Sequence, residues 1–123
     1  MKVGLFFGSF NPIHNGHLDI AHLASEYVDE VWFIISPHNP DKDPDKLVDQ
    51  YSRLEMVKLA ISDKTNYKAS DVEHIKPKVF TSLVSNSVIS STMVRDAIAK
   101  CESVDCMIPD SVRSFIDNKN LWK

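Results

Sequence analysis

Apolar positions along the chain alternate between short unbroken runs and helically spaced stretches. Val3-Gly4-Leu5-Phe6-Phe7 is short, almost wholly apolar and stops at Gly8, the pattern of a buried parallel strand at about 2–7. Ile20, Leu23, Ala24, Tyr27 and Val28 then recur at helical spacing and predict a helix over 16–28. A second apolar run predicts a strand over 31–36, and a Pro/Asp/Lys-rich loop covers 37–48. Leu54, Val57 and Ile61 form the inward stripe of a helix over 50–62, with Asp49 as its N-cap. A short strand follows near 67–72, and a later helix after Ser90-Ser91-Thr92 turns Val94, Ala97 and Ile98 inward. Strands alternating with helices imply an α/β domain with a parallel sheet and right-handed crossovers. Ligands of such sheets bind beyond the carboxyl ends of the strands, where the winding reverses, and the 8–17 connection falls there.

Composition narrows the picture without changing it. With 123 residues and 43% hydrophobic content the chain can build one core, a single domain over 1–123. A net charge of −3, with no basic stripe interleaved with aromatics, argues against a protein that coats nucleic acid. No apolar run approaches the ~20 residues of a membrane span, and Met1-Lys2 leads straight into a strand, so a cytoplasmic protein without a membrane partner is expected. Cys101 and Cys106, separated by four residues, fit neither a redox pair nor a zinc knuckle and read as reduced and structural. Asp41-x-Asp43-x-Asp45 imitates the start of a calcium loop. It fails because Lys46 stands where the turn glycine belongs and Ser52 where the closing glutamate belongs.

The chemistry concentrates in Gly8-Ser9-Phe10-Asn11-Pro12-Ile13-His14-Asn15-Gly16-His17, between the first strand and the first helix. A helix start with free N–H groups and a positive dipole end attracts anions. Two histidines three apart at that mouth point the same way, and Gly16 between them has no Cβ to obstruct a ligand. A lone histidine is more often a surface or satisfied core residue, and His22, His38 and His74 are read so. Ser90-Ser91-Thr92 would ordinarily be helix caps, but Arg95, one turn on, carries a fork suited to phosphate oxygens. Lys42 stands in the acidic loop as a further positive charge.

These motifs resemble the nucleotidyltransferases with a His-x-Gly-His signature, and within them the bacterial nicotinate mononucleotide adenylyltransferases. Val31 to Pro40 with Lys42 looks like the family's second strand and lysine loop, and Tyr51-Ser52-Arg53-Leu54-Glu55-Met56-Val57 like its next helix. Ile89-Ser90-Ser91-Thr92-Met93-Val94-Arg95 is similar to its second phosphate motif, and Ile108-Pro109-Asp110-Ser111-Val112 with Leu121-Trp122 to its C-terminal helix. The resemblance implies a Rossmann-like three-layer nucleotidyltransferase fold, and adenylyl transfer from ATP to nicotinate mononucleotide with release of pyrophosphate. It also implies that His14 and His17 are catalytic donors to the α- and β-phosphates. Gly8, Ser9 and Phe10 would offer backbone N–H groups, Gly16 would let the adenine lie against the backbone, and Lys42, Ser90, Ser91, Thr92 and Arg95 would complete the ATP site. Magnesium would enter as the ATP complex. Gly16-His17-Leu18-Asp19-Ile20 and the Ser-Ser helix also resemble pantetheine-phosphate adenylyltransferase, and a nucleotide-binding protein without turnover is the reading of another class.

Family members are longer, and the shortfall falls in the second half, between the third strand and Ser90. The family's mononucleotide-holding helix, its glycine-aspartate turn near the adenine and its pyridine-stacking aromatic have no match here. Lys76-Pro77-Lys78-Val79-Phe80-Thr81 is either a remnant of that region or the last strand running into Ser90. Loss of a central strand would bare one edge and flank of the first strand, to be covered by residues 78–84 or by a second copy in a homodimer. Trp32 and Phe33 are open to either core or interface. Triphosphate binding is expected to survive better than acceptor binding.

Overall fold

The computed structural model describes residues 2–36, 47–71, 91–104 and 106–122. In chain order these form β1 (Val3–Gly8), α1 (Asn15–Ala24), β2 (Glu30–Ile35), α2 (Gln50–Ala60), β3 (Tyr67–Asp71), α3 (Ser91–Ala99) and α4 (Asp110–Lys119). The three strands are parallel in the order β1-β2-β3, with Phe6 opposite Phe33 and Phe33 opposite Ala69. The α/β fold with a Rossmann-like parallel sheet is therefore as the sequence pattern and the resemblance lead one to expect.

Period-two alternation gives the sheet two unlike faces. Val31, Phe33 and Ile35 point to one side and join a single core with Ala21 and Ala24 of α1, Met56 and Val57 of α2, Val94, Ala97 and Ile98 of α3, and Val112 and Ile116 of α4. Phe33 is thus core, whereas Trp32 is only half-buried, on the opposite face beside Lys68, whose Nζ lies 5.9 Å from its ring centroid and 3.1 Å from Glu30. β1 stands at one end of the strand order. The expected covering by residues 78–84, and the 76–81 alternatives, lie outside the described residues, as do Lys42, Ser90, His38, His74 and the Asp41–Asp45 triplet.

The first helix is shorter than its apolar pattern predicts. It ends at Ala24, with Tyr27 beyond it 69% exposed, and Leu23 within it is 52% exposed rather than facing the core. The cause is the chain reversal that follows. Ser25 caps the helix and bonds the His22 carbonyl through its hydroxyl, and Asp29 pairs with Lys2 through N–H···O at 2.8 Å. Val28 then packs onto Gly4, where an added Cβ would come within 3.2 Å of a Val28 methyl. α2 begins as expected, with the Asp49 carboxylate accepting the Ser52 N–H at 2.9 Å, a bond that holds that carboxyl below its ordinary pKa. It stops at Ala60 rather than 62, although Ile61 stays buried. Cys101 and Cys106 are both free thiols on the surface. Among the described residues no helix is long and apolar enough to cross a membrane.

Candidate functional site

β1 ends at Gly8, and the chain turns through Ser9–Ile13 before α1 begins. Phe10 carries the turn with φ of 48°, a left-handed backbone that costs a non-glycine residue about 1–2 kcal/mol. Its buried ring, worth roughly 2–3 kcal/mol, offsets that cost by packing 5.3 Å from Phe6, 5.6 Å from Phe33 and 4.9 Å from His17, centroid to centroid. Gly8 is needed beneath it, since a Cβ there would sit 3.2 Å from the Phe10 ring. The Asn11–Pro12 peptide is cis.

His14 is the N-cap of α1. Its Nδ1 accepts the His17 N–H at 3.3 Å, and the His17 Nδ1 accepts the His14 N–H at 3.1 Å. This is a capping box built from two imidazoles instead of a hydroxyl and a carboxylate. The rings stack with centroids 3.7 Å apart and planes 20° from parallel. Because each Nδ1 accepts, each ring takes the tautomer with hydrogen on Nε2. His14 is 4% exposed, and its burial lowers its pKa to about 4. It is a hydrogen-bond donor at neutral pH, not a cation.

The helix mouth is less open than a bare N-terminus. The Asn15 N–H is spent on the Met107 carbonyl at 2.6 Å, and the Asn15 side chain donates to the Cys106 carbonyl at 3.1 Å. Among the described residues the N–H groups of Ser9, Phe10 and Gly16 donate to no protein acceptor. Those are three donors on residues expected to face phosphate.

Two helices grip the loop by its carbonyls. From α3, the Ser91 hydroxyl donates to the Pro12 carbonyl at 2.9 Å, and Arg95 donates through Nη1 to the Asn11 carbonyl at 2.7 Å and through Nη2 to Thr92 Oγ1 at 3.2 Å. The Arg95 Nε is buried with no partner among the described residues. From α2, Arg53 donates to the carbonyls of Ser9 (2.9 Å), Ser36 (2.7 Å) and Val48 (2.6 Å). Burial lowers the pKa of both guanidiniums. Gly8, Ser9, Phe10, His14, Gly16, His17, Ser91, Thr92 and Arg95 therefore surround one loop. Sequence reasoning did not single out Arg53 or Asn11, whose Oδ1 accepts the Val48 N–H at 3.1 Å. The legible signal for Arg53 is an arginine at a position where its own helix buries its neighbours Met56 and Val57. The His-x-x-His spacing likewise matches a capping box.

Residues 5–103, which hold the loop, both gripping helices and most of the sheet, match the cytidylyltransferase-like family. The chain belongs to that family. Among its relatives is a probable nicotinate-nucleotide adenylyltransferase of Cytophaga hutchinsonii, 39% identical over 122 residues, which cover 98% of this chain and 61% of the relative. Proteins of the same description from Flavobacterium psychrophilum and Bacteroides fragilis are 51% identical over 80 residues and 46% over 79, in each case 63% of this chain and 42% and 39% of the relative. The chain thus spans about two to three fifths of the length of these curated relatives, which are longer, as the resemblance leads one to expect. Its loop sits at the carboxyl end of β1, the end of an open α/β sheet at which ligands generally bind.

Proposed function

We propose that this cytidylyltransferase-like chain binds ATP with magnesium at the β1–α1 loop and transfers the adenylyl group to nicotinate mononucleotide. A phosphate oxygen of the acceptor attacks the α-phosphorus in line, the bond from that phosphorus to the bridging oxygen of the β-phosphate breaks, and pyrophosphate leaves as deamido-NAD forms. The observation that carries the reading is the reciprocal imidazole cap, which fixes two Nε2–H donors at a helix start. Such preorganised donors stabilise the charge on phosphate oxygens in the transition state without reorganising during the reaction. The lowered pKa of His14 fits a donor that takes no proton from the acceptor. Magnesium would arrive on the triphosphate as part of the substrate. The choice of acceptor is supported by the relatives' names.

Mass spectrometry of the reaction of the chain with MgATP and nicotinate mononucleotide, beside a pyrophosphate assay, tests the proposal. Deamido-NAD with equimolar pyrophosphate is expected, with a high KM for the mononucleotide. Product only with 4′-phosphopantetheine would reassign the acceptor, and ATP binding without product would leave a nucleotide-binding protein. Failure to bind MgATP would overturn the site itself.

A further inference from the structure

Among the described residues the largest fully buried side chain is Arg53, and the phosphate chemistry proposed above gives it no task. Its fork is aimed at backbone. One guanidinium joins the chain after β1 (Ser9), the chain after β2 (Ser36) and the entry to α2 (Val48), three segments at the carboxyl end of the sheet. The link to Val48 is doubled, because the Val48 N–H donates to the Asn11 side chain while its carbonyl accepts from Arg53. We infer that Arg53 is a positioning residue for the nucleotide loop: by holding the Ser9 carbonyl toward α2, it turns the Phe10 N–H toward the phosphate.

The reason is the planarity of the peptide. In a trans peptide the C=O and the following N–H point in opposite directions, so fixing one aims the other. The Ser9–Phe10 peptide is trans, its carbonyl is held at 2.9 Å, and its N–H donates to no acceptor among the described residues. Phe10 could relax toward an ordinary backbone conformation by rotating this peptide, and the Arg53 bond opposes that rotation. A lysine cannot substitute, because its three donors spread from one nitrogen, whereas Arg53 uses Nε and Nη1 on different carbonyls. The inference rests on the phosphate-binding reading for its purpose, though not for its geometry.

Arg53→Met, Arg53→Lys and the packing control Leu54→Ala separate positioning from general stability. Calorimetry with MgATP should give a Kd raised about tenfold in Arg53→Met, the scale of losing buried charge-assisted bonds, with Leu54→Ala within about twofold of wild type. In the free protein, the amide resonances of Phe10 and Val48 should move in Arg53→Met and stay in place in Leu54→Ala. Arg53→Lys should restore part of the affinity but not the Phe10 resonance. A folded Arg53→Met with wild-type Phe10 and Val48 resonances would overturn the inference. If that variant does not fold, Arg53→Lys decides, and an unmoved Phe10 resonance in it is equally fatal. Should the wild type itself not bind MgATP, the nucleotide reading fails while the resonances still report whether Arg53 aims the loop.

Discussion

The two motifs proposed to hold phosphate are built by different means. At the α1 mouth the side chains of His14 and His17 serve their own backbone, each capping the other's N–H, and their remaining donors are set by local chain geometry. At the start of α3, Ser91 and Arg95 reach across to a loop 79 and 84 residues away and hold its carbonyls. One motif is self-organised; the other organises its neighbour. A hydroxyl–arginine pair can therefore shape a neighbouring loop through its carbonyls, whatever else it binds.

Substitutions sharpen that contrast. The largest effect is expected at His17, where alanine should lower kcat by ~10²–10³, as for loss of one preorganised transition-state donor, with an unchanged circular dichroism spectrum. Near-normal turnover would remove His17 from the chemistry. Arg95→Ala should instead act first on stability, by about 2–3 kcal/mol in a urea titration, since it removes a buried charge-assisted bond to the Asn11 carbonyl. Weakened ATP binding with unchanged stability would reverse the contrast and make Arg95 chiefly a phosphate ligand.

A smaller effect should follow pH. The His14 pKa is about 4 in the folded chain against about 6.5 when unfolded, so between these values the unfolded state binds more protons. Stability from the neutral cap is complete above pH 6.5 and is lost as pH falls toward 4. In His14→Asn, which caps without titrating, the decline in Tm between pH 6.5 and 5 should flatten; an equally steep decline would locate the sensitivity elsewhere. The smallest change is expected at α2, where Asp49→Ala should cost about 1 kcal/mol, the usual value of an N-cap.

The elements were legible where local pattern decides them. Val31, Phe33 and Ile35 announce a buried strand, and Asp49 announces its helix. The end of α1 was not legible, because Leu23 and Tyr27 keep helical spacing beyond the point where Val28 must turn back onto Gly4, a tertiary demand. At the site, the His14–His17 spacing and the Ser91–Arg95 spacing were readable. What they bond to was not. The carbonyl partners of Arg53 and Arg95 carry no sequence identity, since every residue supplies a carbonyl.

Asn15 fixes an order of events as well as a place. Its N–H and side chain bind the carbonyls of Met107 and Cys106, and its loop neighbours bind α3, so a segment synthesised well before residues 91–107 is completed only after them. Closing contacts of such sequence separation carries a loop-entropy cost and slows folding relative to the local strand and helix pairings. On a ribosome, the early sheet could form while the histidine loop still waits for residues 91–107. A nascent chain stalled before that point would carry the signature without the grip that shapes it.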